Sequence, residues 1–178
     1  MTTWPSPGRS SATRTGCIIT FDMFLNDPLP EGCWVDDLVR IPRTTGGSGA
    51  AVQISHRVIG EGCWANPPEE RNHSYRDFGI TNQSGGYEWF TEIGGDADED
   101  LGEWHHYAIV IRPDHYVDFY VDGSLRYHSQ EPVNQSYQGM PLATGSRSHP
   151  AYGPALIDSI RVYRYDESFT PAISSADR

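Results

Sequence analysis

The stretch Glu103–Tyr127, EWHHYAIVIRPDHYVDFYVDGSLRY, decides the fold. Its first run, Glu103–Arg112, is rich in aromatic and β-branched residues, which favour a pleated backbone. Pro113-Asp114-His115 breaks the run with turn chemistry, and Tyr116–Asp122 resumes it. Asp122-Gly123 is a strong two-residue hairpin signal and leads into a third run, Ser124–His128. Successive side chains of a strand point to opposite faces. His105, Tyr107, Ile109 and Ile111 therefore share a face, as do Val117, Phe119 and Val121, and these apolar faces are expected to pack as core against a second sheet. The other face carries His106, Ala108, Val110 and Arg112 beside Asp118 and Tyr120, a mixture suited to a small ligand.

Working outward, Gly16–Leu25, Ala50–Ile59, Tyr75–Asn82, Tyr87–Ile93 and Ala155–Tyr165 read as further strands. Within Ala50–Ile59, Val52, Ile54, His56 and Val58 alternate with Gln53, Ser55 and Arg57. Leu38–Pro42 reads as a short strand, preceded by a loop, Glu31–Asp37, that carries Trp34. Two long polar loops follow from composition, Gly60–Ser74 and Gln130–Tyr152. Eight to ten strands without a helix predict an all-β fold, a two-sheet antiparallel sandwich over residues 16–170, with a lead-in at 1–15 and a tail at 171–178.

Composition narrows the function. The formal charge of −11 disfavours nucleic acid, whose phosphates need a basic surface. No apolar run is long enough for a helical membrane span. All 13 basic residues are Arg, which excludes lysine Schiff-base and lysine-base chemistry. Cys17, Cys33 and Cys63 allow at most one internal disulfide, and Cys33–Cys63 would require an oxidising compartment; free thiols are the alternative. Met1–Thr15 lacks the apolar core of an intact signal peptide, whereas the Asn-x-Ser sequons at Asn72, Asn82 and Asn134 suit a secreted, glycosylated chain. The expected setting is extracellular, or cytoplasmic if that N-terminus is native.

The Trp-His-His opening at Trp104, the Tyr-Val-Asp-Gly at Tyr120–Gly123 and the closing Ile-Asp-x-Ile-Arg-Val-Tyr at Ile157–Tyr163 occur in the order that resembles laminin-G-like jelly rolls of the concanavalin A-like superfamily. The resemblance implies that fold and a range of activities: lectin modules, carbohydrate-binding accessory domains, glycoside hydrolases, polysaccharide lyases and adhesion domains. It also brings calcium into view as a cofactor. Asp158 matches the Asp of the closing strand, and Asp22 lies on the first strand, so both are candidate ligands. Asp96, Asp98 and Asp100 form the densest acidic cluster, but the loop is not an EF-hand, since Leu101 stands where glycine is required.

The leading expectation is a glycan-binding, lectin-like module, with a glycan or small molecule as partner. Trp34, Trp64, Tyr75 and Tyr152 are the loop aromatics that would stack on sugar rings, and Gln53, Glu88 and Arg112 would supply polar contacts. The alternative is an enzyme. A Glu-x-Asp-x-x-Glu strand of a hydrolase is absent, and Glu88 and Glu92 stand about 13 Å apart along one strand, too far for a glycosidase pair. A polysaccharide lyase or small-molecule cyclase or isomerase would use His106 and Tyr120 as an acid–base pair, with Arg57 neutralising a carboxylate.

Overall fold

The computed structural model describes residues 16–25, 33–42, 50–59, 73–93, 101–134, 142–146 and 155–171. Among the described residues there are ten strands: β1 (Cys17–Leu25), β2 (Cys33–Pro42), β3 (Ala50–Ile59), β4 (His73–Thr81), β5 (Tyr87–Ile93), β6 (Trp104–Ile111), β7 (Val117–Val121), β8 (Ser124–His128), β9 (Ala143–Ser146) and β10 (Ala155–Arg164). They form two five-stranded sheets. Sheet I has the order β10-β1-β6-β7-β8 and sheet II the order β5-β4-β3-β2-β9. Every strand pair is antiparallel. The all-β antiparallel sandwich expected from periodicity is the observed architecture.

The opening stretch forms the β6–β7–β8 meander. Asp122 and Gly123 both have positive φ, 47° and 77°, the requirement of a type I′ hairpin turn whose twist matches the flanking strands. The Asp122 carboxylate accepts hydrogen bonds from the His106 amide (2.8 Å) and the His105 ring (2.5 Å). Burial alone would raise the pKa of Asp122, but these contacts and the neighbouring imidazoles outweigh it and hold the value below normal.

The core lies between the sheets, as alternation requires. Sheet I contributes Ile19, Phe21, Met23, Tyr107, Ile109, Ile111, Val117, Phe119 and Val121; sheet II contributes Val39, Ile41, Val52, Ile54, Phe78 and Ile80. Phe78 meets Phe119 across the interface at 5.3 Å between centroids, and Phe90 stacks on Tyr127 at 5.1 Å. Cys17 packs against this core, and burial pushes its thiol pKa up to about 11, so the group stays protonated at neutral pH.

One charged cluster interrupts the apolar layer. Arg76, on the core face of β4, is 1% exposed. Its Nε donates to Glu92 Oε2 (2.7 Å), its Nη1 donates to the Tyr107 hydroxyl (3.3 Å), and Arg126 Nε donates to Glu92 Oε1 (2.8 Å). Burial pushes the Tyr107 phenol up to about 12, against the lowering influence of Arg76.

Two local readings change. Residues 33–37 belong to β2 rather than to a loop, because they pair with Ser55–Ile59 of β3, and a continuous ladder outweighs the poor strand propensity of Asp36-Asp37. The register of the pair shifts between Asp37 and Val39. β9 emerges from the expected Gln130–Tyr152 loop by pairing with the free edge of β2.

Glu92→Ala would leave the Arg76 guanidinium buried without its main counter-charge. The expected loss of unfolding free energy is about 3–5 kcal/mol, measured by urea titration; a loss below about 1 kcal/mol would show that the pair has no structural role.

Candidate functional site

A sandwich has two outer faces, and the residues with chemical potential divide between them. On sheet I, the register aligns Asp22 with His106, and Thr20 with Ala108 and Tyr120. His106 Nδ1 lies 2.8 Å from Asp22 Oδ1. Asp118, 2% exposed, accepts from Arg112 Nε (2.7 Å) and pairs with His128 Nδ1 (2.6 Å), while Tyr116 stacks on the His128 ring at 5.6 Å. The hydrogen bond to Asp118 raises the Arg112 pKa above its ordinary value. Burial, and then the Asp118 charge, raise that of the Tyr120 phenol, which stays protonated at neutral pH.

This layout separates the residues of the enzymic reading. His106 and Tyr120 are diagonal neighbours on sheet I, whereas Arg57 belongs to β3 of sheet II, paired with Val35 and Tyr75. Glu88 and Asp118 are likewise no pair. Glu88 turns inward from β5, where its carboxylate takes the Tyr127 hydroxyl and the amides of Gln130 and Glu131. Asp118 faces outward on sheet I, committed to Arg112 and His128. Glu88 thus ties the end of β8 to sheet II and is occupied by that task.

Asp22 and Asp158 are register partners on β1 and β10, beside a bulge where Ser159 takes φ 55°. Asp22 engages His106, and Asp158 Oδ1 accepts from the Ser159 amide (2.6 Å). Calcium wants six to eight oxygens. No three His, Cys, Asp or Glu side chains group for a metal among the described residues. Asp96, Asp98 and Asp100 lie outside the described residues, as do Trp64, Cys63, Asn72 and Tyr152.

The outer face of sheet II is built differently. Gln53, Ser55 and Asp77 point away from the core, yet each is at most 5% exposed. Gln53 Nε2 donates to Ser55 Oγ (2.8 Å), and Thr91 Oγ1 donates to Asp77 Oδ1 (2.6 Å). Beside this polar row stand Tyr87 and Trp89 on β5, 49% and 48% exposed. Their rings are near parallel, 22° apart in plane and 6.2 Å between centroids. Trp89 is the cross-strand partner of Gly79, and its benzo ring occupies the space a side chain at Gly79 would need: a Cβ there would meet Cε3 and Cζ3 at 2.7 Å. Glycine opposite an aromatic lets the ring cover the bare backbone.

A tight turn anchors the start of this platform. The Asn82 side-chain oxygen accepts from the Gly86 amide (2.8 Å) and the Ser84 hydroxyl (2.7 Å). Asn82 is 9% exposed and committed to the turn, so of the sequons this one is poorly placed to accept a glycan.

Among the aromatics expected to stack on sugar, Tyr75 lies on β4 and is 2% exposed, and Trp34 lies on strand β2. Tyr87 and Trp89 were missed. Their signal is the alternation in YEWF, with aromatics two residues apart on the face opposite Phe90.

Comparison with known proteins gives the fold a family. The laminin G family model of the concanavalin A-like lectin/glucanases superfamily matches residues 46–170. The chain belongs to that superfamily. No curated protein matches it. Solved structures that resemble it include an alginate lyase from Pseudomonas aeruginosa, 14% identical with a TM-score of 0.55, covering 86% of this chain and 66% of the lyase. An alginate lyase from Alteromonas is 11% identical with a TM-score of 0.53, covering 86% of this chain and 73% of its own. The receptor-binding domain of botulinum neurotoxin D is 11% identical with a TM-score of 0.55, covering 98% of this chain and 38% of its own. The superfamily member described here thus spans just under two thirds of the Pseudomonas lyase and little more than a third of the toxin domain, and at these identities the likeness is one of fold.

Gly79→Ala forces the Trp89 ring off the sheet. The expected result is a changed near-ultraviolet circular dichroism spectrum and a loss of about 1–3 kcal/mol in urea unfolding; an unaltered spectrum would show that the indole does not rest there.

Proposed function

We propose that the chain is a glycan-binding module whose site is the outer face of sheet II. The half-exposed, near-parallel Tyr87–Trp89 pair beside a buried polar row carries this reading. A sugar offers an apolar ring face and a rim of hydroxyls. Aromatic rings held by a rigid strand cover the first, and polar groups set in a sheet face bind the second with little ordering cost. Gln53 remains in the site. Arg112 and Glu88, paired elsewhere in the sandwich, leave it. Membership of a superfamily that includes lectins, and likeness to lyases named for alginate, support a saccharide ligand.

A second reading rests on a separate observation. Asp22 holds His106 Nδ1 at 2.8 Å, which orients the ring and leaves Nε2 to exchange a proton, with the protonated Tyr120 phenol diagonally across the strand pair. That face carries Trp104, 41% exposed beside Phe24, and Tyr116 stacked on the His128 ring, but not two half-exposed rings set side by side along one strand as on sheet II.

Affinity gel electrophoresis through soluble polysaccharides separates the two faces. Wild type is expected to be retarded. Trp89→Ala should lose about 1–2 kcal/mol, roughly tenfold in Kd, while Trp104→Ala on the other sheet leaves binding intact. Retardation lost with Trp104→Ala and kept with Trp89→Ala, or no retardation by any polysaccharide, would overturn the proposal.

A further inference from the structure

We infer that β10 is a self-association edge: a second copy of the chain pairs with it, antiparallel and two-fold about Val162, so that sheet I continues from one copy into the other.

The two long sides of the sandwich differ. On one side the edge strands β5 and β8 are latched by side chains: Glu88 takes the Tyr127 hydroxyl, Phe90 stacks on Tyr127, and Glu92 accepts from Arg126. On the other side the edge of sheet I is β10, ten residues long, and the edge of sheet II is β9, four residues long. β10 pairs with β1 along one edge, and its other edge has no partner among the described residues. Val162 is the register partner of the core residue Ile19 and so faces inward, as does Ile160 two residues before it. Both are nonetheless half-open to solvent, 41% and 42% exposed, and Tyr163 on the outer face is 45% exposed. Large apolar side chains left open on both faces of an unpaired strand form a contact surface rather than isolated exposure.

The backbone sets the register. The Tyr165 amide donates to the Gly16 carbonyl, which makes that a hydrogen-bonded pair, and Tyr163–Ile18 and Arg161–Thr20 are the next pairs of the same kind. The amides and carbonyls of Ile160, Val162 and Arg164 therefore point to the open edge. Ser159 and Ile160 both fall opposite Phe21 at the bulge, so the regular part of the strand is Ile160–Arg164. A two-fold axis through Val162 pairs this regular part from end to end. Val162 meets the partner's Val162, and Ile160 meets the partner's Arg164, in hydrogen-bonded pairs. Arg161 meets the partner's Tyr163 in the closer, non-hydrogen-bonded kind, which sets a guanidinium against a phenol ring and repeats the contact by symmetry. No like charges stand directly opposite. An axis through Arg161 would set the two Arg161 guanidiniums against each other, and one through Tyr163 would run the ladder past the end of β10. Arg161, Tyr163 and Arg164 make no side-chain hydrogen bond or ion pair with another described residue, so the contact breaks none. A ladder this short buries less than the roughly 1,200 Å² of a standard interface, which makes the dimer a weak one, with Kd on the order of 100 µM.

Sedimentation-velocity ultracentrifugation of the full chain, from about 10 µM to about 1 mM, tests the inference. Wild type is expected to pass from monomer to dimer across that range. Val162→Asp should weaken the dimer by about tenfold or more, because it buries a carboxylate at the axis, with the circular dichroism spectrum unchanged. Leu125→Asp, on the β8 edge of the same sheet, should leave dimerisation intact. An equimolar mixture of Arg161→Cys and Tyr163→Cys should give, on mild oxidation, a disulfide-linked dimer that neither variant gives alone, since the two positions oppose each other only between copies. Wild type monomeric throughout, dimerisation lost with Leu125→Asp and kept with Val162→Asp, or Arg161→Cys crosslinking to itself would each overturn the inference.

Discussion

A guanidinium buried between two sheets sets the terms for the rest of the molecule. Arg76 is 1% exposed, and a charge so placed needs a close counter-charge. Glu92 supplies it, and Arg76 and Glu92 are also register partners on β4 and β5. Side chains alternate with a period of two, so a slip of one residue would turn Glu92 outward and Trp89 into the core. Holding Arg76 against Glu92 therefore holds Asp77 against Thr91 and Gly79 against Trp89 on the opposite face. The outer platform is specified from within. Tyr107 and Arg126 join the same cluster from sheet I and tie the two sheets together at that point.

The two outer faces show contrasting uses of polar groups. Sheet I spends its imidazoles and carboxylates on one another: His106 with Asp22, His128 with Asp118, Arg112 with Asp118. His105 and Asp122 do the same at the end of the meander. Such pairs order the β6–β7–β8 unit and its turn. Sheet II sinks its polar side chains into the face and raises two aromatic rings beside them. The two half-exposed rings are the feature of this face on which the proposed saccharide would stack.

Much of this was legible in the sequence. In Glu103–Tyr127 the alternation, the Asp-Gly turn and the sorting of Tyr107, Ile109 and Ile111 from His106 and Arg112 all follow from local rules, and the structure repeats them. The family resemblance carried by that stretch matches the superfamily of the chain. The site was less legible because it depends on which strands are neighbours. Nothing local tells that Arg57 and His106 fall in different sheets, that Glu88 turns inward onto Tyr127, or that Asp36-Asp37 is carried along in a ladder with β3. Tyr87 and Trp89 are plain strand residues until the position of Gly79 across from Trp89 is known. Aromatics in presumed loops drew attention instead, and of these Tyr75 proved to be buried.

The central claim is that one face of one sheet binds glycan. Amide chemical-shift mapping by nuclear magnetic resonance, during titration with a neutral oligosaccharide, tests it most directly. The account predicts shifts confined to Gln53–Ser55, Asp77–Thr81 and Tyr87–Thr91. Shifts centred instead on His106, Asp118–Tyr120 and His128 would place the ligand on the opposite face and contradict it.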